Sequence, residues 1–123
     1  MGNMDISLKE MMTIDGAIGS VVVDYNSGMA LGALGGSKDL DLQVAAAGNT
    51  EVVKAKLRTM ESLGLKDGIE DILITLGTQY HIIRPISGRS GKGLFLYLAL
   101  DRSRANLALA RHVLRGIEEK LEV

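Results

Sequence analysis

The sequence predicts an α+β domain in the order helix, two strands, helix, three strands, helix, with helices covering much of both faces of its sheet. Three observations carry this. Two long stretches, about Lys38 to Leu63 and Ser103 to Leu121, repeat apolar residues at helical spacing. Five shorter stretches rich in Val, Ile and Leu are separated by turns bearing Gly, Asn or Ser. In the last three of these, both alternating faces are largely apolar, whereas a half-solvated sheet alternates cleanly.

Asp5 to Met12 reads as a short helix, with Leu8, Met11 and Met12 at spacings of three and four, ended by the Asp15-Gly16 turn. A hairpin follows: Ala17 to Asp24, the turn Tyr25-Asn26-Ser27-Gly28, and Met29 to Leu34 returning. Gly35-Gly36 closes it. Ser37 is the expected N-cap of the central helix, with Asp39 and Asp41 in its first turn, where the helix dipole favours negative charge.

On a helical wheel the central helix places Leu42, Ala46, Val53, Leu57 and Met60 within an arc of about 60°, an ordinary stripe for packing on a sheet. A second stripe of mostly small residues, Val44, Ala45, Gly48, Val52 and Ala55, adjoins it, and Gln43, Glu51, Lys54, Arg58 and Glu61 form the wet face. Apolar coverage this wide calls for a second neighbour whose backbone approaches closely. Either another helix of the same chain or a second copy fills that role. Asn49, between the stripes, is placed to fix register in such a pairing or is simply tolerated there.

Ile69 to Leu76, Gln79 to Ile86 and Leu94 to Leu100 read as an antiparallel meander, with Pro85 near a strand end because it cannot donate to a ladder. The last helix has one clean stripe, Leu107, Ala110, Val113, Leu114, Ile117 and Leu121, within about 120°. Arg104, Arg111 and Arg115 line its wet side with Glu118 beside them.

With 123 residues the chain makes one domain, residues 1–123, large enough to bury roughly two-thirds of its unfolded surface. It contains no Cys, which excludes disulfides, thiolate zinc sites and a Cys nucleophile. The N-terminus lacks a signal-peptide pattern, Ile6 breaks a myristoylation motif, and no apolar run reaches membrane-spanning length, so a cytoplasmic location without membrane insertion is expected. Residues 1–83 hold 6 Lys/Arg against 11 Asp/Glu and residues 84–123 hold 8 against 4. That basic third raises nucleic acid as a partner. The arginine row nevertheless lacks interleaved Asn or Gln base readers and a preceding helix-turn-helix partner, so it reads as a solvated face or a protein contact.

The chemistry of an enzyme is missing from the pattern. His81 in a strand and His112 opposite the last helix's apolar stripe have no partner at metal-ligand spacing and read as structural or solvated. Glu70-Asp71 and Glu118-Glu119 are adjacent, which turns their side chains apart. Serines sit at turns and caps. No cofactor is expected. The loop "ISGRSGKG", Ile86 to Gly93, carries a Gly-Lys pair, but Ile86 stands where a P-loop needs its first Gly, Gly93 stands where it needs Ser or Thr, and a strand follows where the phosphates need a helix N-terminus.

The stretch "IDGAIGSVVVDYNSGMALG", Ile14 to Gly32, resembles the opening hairpin of the Roadblock/dynein light chain domain family. "QYHIIRPISGRSGKGLFLYLALDRSRANLALARHVLRGIEEKL", Gln79 to Leu121, resembles its C-terminal half, above all Tyr80 to Pro85 and Ala105 to Arg111. The resemblance implies a five-stranded antiparallel sheet, with the central helix on one face and the terminal helices on the other. It further implies homodimers that pair their central helices and join sheets through the first strand of the meander. Such proteins, bacterial MglB-type regulators included, are non-enzymatic platforms for small Ras-like GTPases. Carried over, the dimer and partner surface is Val44, Ala45, Gly48, Val52 and Ala55, bordered by Asn49 and Lys56. The same element order also suits a profilin-like small-ligand sensor, whose mark is a polar-lined pocket.

If the Ser87 to Gly93 segment is a plain connection between strands, calorimetry with ATP or GTP will show no binding, and Lys92→Ala will leave stability within about 0.5 kcal/mol of the parent. Micromolar nucleotide affinity lost on that substitution is the contrary result.

Overall fold

The structure, a computed structural model, describes residues 2–86 and 93–122. Its elements are α1 (Met4–Met12), β1 (Ala17–Asp24), β2 (Ala30–Gly35), α2 (Leu42–Leu63), β3 (Ile72–Thr75), β4 (Gln79–Pro85), β5 (Leu94–Asp101) and α3 (Leu107–Lys120). The strands form one antiparallel five-stranded sheet in the order β2-β1-β5-β4-β3. Residues 87–92, the heart of the Gly-rich loop, lie outside the described residues.

The alternation read in the sequence sorts side chains onto two faces. Leu94, Leu96, Leu98 and Leu100 of β5 join Val22, Ile82 and the buried residues of α1 and α3 in one core. Phe95, Tyr97 and Ala99 of the same strand join Val21, Val23, Ile83 and the buried residues of α2 in another. Every residue of β5 except Asp101 is buried, as expected of a central strand covered on both sides. Pro85 ends β4 opposite Phe95, beyond the last pairing with β3, so its missing N–H costs no ladder bond.

The central helix starts later than its sequence suggests. Ser37 does not cap it: Ser37 and Leu40 exchange backbone hydrogen bonds in a small bridge, and Asp41 is the N-cap, accepting from the Gln43 and Val44 N–H groups at 2.9 and 3.2 Å. Asp39 therefore lies in the approach loop. Gly35 and Gly36 turn the chain there with φ of 80° and 88°. β3 is only four residues, since Ile69 to Asp71 run outside the ladder, and α3 begins at Leu107 behind an Asn106 cap. β2, an edge strand, has a register shift against Val22 and Val23 that leaves Leu31 without a partner, and such bulges protect free edges.

The two ends of the chain meet. Asn3 donates from Nδ2 to the Lys120 carbonyl at 2.7 Å and accepts at Oδ1 from the Glu122 N–H at 2.7 Å, while its own N–H donates to the Glu122 carbonyl.

Gly35 and Gly116 make a paired test. A Cβ on Gly35 would collide with the Ile18 carbonyl oxygen in a left-handed backbone, whereas one on Gly116 meets nothing within 4 Å on a helix. Gly35→Ala is expected to destabilise by more than about 1 kcal/mol and Gly116→Ala to stabilise by up to about 1 kcal/mol in urea unfolding.

Candidate functional site

α2 lies over β1 and β2. Leu42, Ala46, Thr50, Val53 and Met60 are its buried residues. Leu57, expected among them, is 38 % exposed: it sits toward the margin of the packing arc, and Glu61 one turn on faces water. Among the described residues no helix packs against the second stripe, because α1 and α3 occupy the opposite face of the sheet. Val44 is 68 % exposed and Val52 38 %. Gly48, Ala55 and Lys56 are exposed, and Ala45 and Asn49 are half-buried. A Cβ on Gly48 meets nothing within 4 Å. Asn49 donates from Nδ2 to the Ala45 carbonyl at 2.8 Å, so part of its hydrogen-bonding capacity is already used within the helix.

The structure adds neighbours that the wheel did not single out. Leu63, 65 % exposed, continues the stripe at the helix's far end and could have been found by extending the row from Ala45 and Val52. Beside α2 the sheet face is open over β3 and β4, where Ile72, Ile74 and His81 are half-buried. Between helix and sheet runs a groove of about 320 Å³, lined by Lys38, Asp39, Leu40, Asp41, Val44, Ala45 and Asn49 on one side and by His81 and Tyr97 on the other. No sequence signal connected β4 and β5 to α2.

His81 is tied into this floor. Its Nε2 donates to Gln79 Oε1 at 2.8 Å and its Nδ1 accepts from the Tyr97 hydroxyl at 3.0 Å, with the two rings edge to face. Burial holds the imidazole below its usual range and pushes the Tyr97 phenol up to about 12. Both groups are uncharged at neutral pH. The groove's polar groups are thus largely committed, Asp41 to the helix cap and His81, Tyr97 and Gln79 to one another. A larger cleft of about 600 Å³ lies against Leu31 and residues 2–6, but Asn3 there is hydrogen-bonded to Lys120 and Glu122, and among the described residues Asp5 is its one charged side chain. Among the described residues, neither of these two cavities has convergent polar groups free of other partners.

The arginine row of α3 is not a uniform wet face. Arg111 grips Asp71 with Nε and Nη2 at 2.8 and 3.1 Å, and Glu118 pairs with Arg84, which is 6 % exposed and lies 3.9 Å from Asp71. Arg104 precedes the helix in a turn, which leaves Arg115 as the exposed arginine of α3. The wheel missed this because Asp71 and Arg84 are some forty and thirty-four residues away in sequence from the side chains they hold. His112 is exposed, as its position opposite the apolar stripe implies.

This geometry, three helices split one against two across a five-stranded antiparallel sheet, has counterparts among solved structures. It matches a Roadblock/LC7 domain from Streptomyces avermitilis with a TM-score of 0.78 at 12 % identity, over 94 % of this chain and 91 % of that one. The fold is the Roadblock/LC7 fold. The gliding protein MglB from Thermus thermophilus shares it with a TM-score of 0.78 at 17 % identity, over 94 % of this chain and 82 % of that one. MglC from Myxococcus xanthus has a TM-score of 0.59 at 22 % identity, over 94 % and 93 %. No protein-family model matches the sequence, and a search of curated proteins found no match. The helix order and layer arrangement expected from the sequence are those of the Roadblock fold.

The Asp71 carboxylate faces two guanidinium groups, so its loss leaves the buried Arg84, among the described residues, with Glu118. Asp71→Ala is expected to cost about 3 kcal/mol in denaturant unfolding. Arg111→Ala, at a side chain more than a third exposed, should cost about 1 kcal/mol or less.

Proposed function

We propose that this chain is a non-enzymatic, homodimeric, cytoplasmic regulator or scaffold that binds a small Ras-like GTPase through the exposed face of α2. The observation that carries the reading is the stripe of Val44, Ala45, Gly48, Val52 and Ala55, exposed apart from the half-buried Ala45, beside a half-covered sheet. The Roadblock fold it shares with MglB and MglC supports it, as does the description of one matching structure as MglB with a tetrameric arrangement, evidence of self-assembly in that protein. Among the described residues no helix is long and apolar enough to cross a membrane.

Area considerations say how such a dimer is built. The 22 residues of α2 span about 33 Å, so a strip about 10 Å wide offers on the order of 330 Å², under half of the roughly 800 Å² per partner that a stable interface takes. The remainder has to come from the sheet. Ile74, paired with His81 of the groove, Ile72 and the outer edge of β3 would supply it, joining the two sheets edge to edge under paired α2 helices. The paired helices then present a shallow shared surface in which Gly48 and Ala55 admit a partner element closely while Asn49 and Lys56 form a polar rim. Because GTPase switch segments order around the γ-phosphate and its Mg²⁺, a protein reading them prefers one nucleotide state, and a tenfold preference takes only about 1.4 kcal/mol.

Light scattering at micromolar concentration should report a dimer for the wild type and a monomer for Val52→Glu, which places an unpaired charge in the seam; a monomeric wild type contradicts the reading. Gly48→Arg should abolish capture of a small Ras-like GTPase encoded in a neighbouring reading frame, while the double variant Arg104→Ala, Arg115→Ala should retain it. The reverse pattern would place the partner on α3 instead.

A further inference from the structure

We infer that His81 makes this same α2 face acid-sensitive: with a neutral imidazole a second protomer closes over the groove, and protonation of Nδ1 opposes that closure. The inference rests on the dimer reading above and deepens it. Its basis is where His81 sits. The groove wall is made by Val44, Ala45 and Asn49, which belong to the exposed α2 stripe or its border, and its floor by His81 and Tyr97. A helix packed against that stripe from the sheet side therefore also covers His81.

The hydrogen bonds fix which imidazole the floor accepts. Gln79 Oε1 is an acceptor, so Nε2 carries a proton and Nδ1 is left as the acceptor for the Tyr97 hydroxyl. Tyr97 has no exposed surface, and its phenol, pushed up to about 12, stays protonated and has to donate. A proton on Nδ1 points at that hydroxyl. The hydroxyl must then turn to accept, and its own hydrogen loses the partner it had in a buried position, which is costly.

Among the described residues, none of the surrounding groups pairs with the imidazolium. Directly across from His81 on β3 is Ile74, across on β5 is Ala99, and on its own strand Gln79 and Ile83 share its face. From α2 come Val44, Ala45 and the neutral Asn49; from the approach loop come Lys38, Asp39 and Asp41. Lys38 repels a cation. Asp41 is engaged by two backbone N–H groups at the helix cap, and Asp39 is exposed. Among the described residues His81 forms no ion pair.

The sign follows from linkage. Burial already holds the folded His81 below its ordinary 6.5, and a second protomer removes more water from it, lowering it further. A depressed pKa favours the closed state fully above about pH 6.5 and loses that contribution as pH falls through the lowered values. Each excluded proton weakens dimerisation by up to about tenfold per pH unit, and a dimer carries two copies of His81.

The test is the dimer dissociation constant by sedimentation at about pH 7.5 and 5.5, with circular dichroism confirming the fold at each. The wild type should weaken several-fold on acidification, and His112→Gln should weaken equally. His81→Gln, whose amide oxygen still accepts from Tyr97, should change less than twofold. As a second readout, His112→Gln leaves one histidine in the chain, and its imidazole titration by NMR should move to lower pH at concentrations where the dimer forms. A dissociation constant that is flat with pH in the wild type, or an acid response that survives His81→Gln, overturns the inference and leaves the dimer standing. A wild type that is monomeric at pH 7.5 removes the dimer itself.

Discussion

The arrangement depends on one strand that has nothing to offer water. Leu94 to Leu100 in β5 is buried on both faces, so helices have to cover the sheet above and below. Neighbouring strands lie about 4.8 Å apart, and a helix with its side chains is about 10 Å wide, so one helix shields roughly two strands. α1 and α3 share one face between them, whereas α2 faces the other alone. It settles over β1 and β2, and the β3–β4 half stays partly open. The exposed stripe of α2 and the half-buried Ile72, Ile74 and His81 are thus two sides of one shortage: five strands and a single helix to cover them.

On the covered face the connection between helix and sheet is electrostatic as well as apolar. Arg84 projects from β4 into a site where Glu118 and Asp71 meet it, and Arg111 closes the arrangement from α3. Charges buried to this extent contribute little net stability over a packed apolar set, because desolvation opposes their attraction. What they impose is position. α3 is tied to the segment before β3 through Arg111 and Asp71 and to β4 through Glu118 and Arg84, at two points along its length.

Most of the fold was legible because its determinants are local and periodic. β1 matches Ala17 to Asp24 residue for residue, and the stripes of α2 and α3 identify their core sides, with Ala46, Val53, Leu114 and Ile117 buried as expected. Cap positions were less legible, since Ser37, Asp39 and Asp41 all have the chemistry of an N-cap and only the turn imposed by Gly35 and Gly36 decides among them. The site was half legible. The candidate α2 stripe is written in its small residues, but the groove wall that His81 and Tyr97 of β4 and β5 make beside it is assembled by sheet order, and the His81–Tyr97 bond joins residues sixteen apart in sequence. Arg111 and Glu118 looked solvated for the same reason: their partners arrive from elsewhere in the chain.

The Asn3 clasp has a topological meaning. Because Asn3 binds Lys120 and Glu122 directly, the stretch from Asn3 to Glu122 traces a nearly closed ring whose seam lies beside the end of α3. A chain spliced there by a short linker and cut instead at the Gly77-Thr78 turn would keep all five strands and all three helices in register, with only the order of reading changed. The architecture belongs to the circle, and the position of its opening is incidental to it.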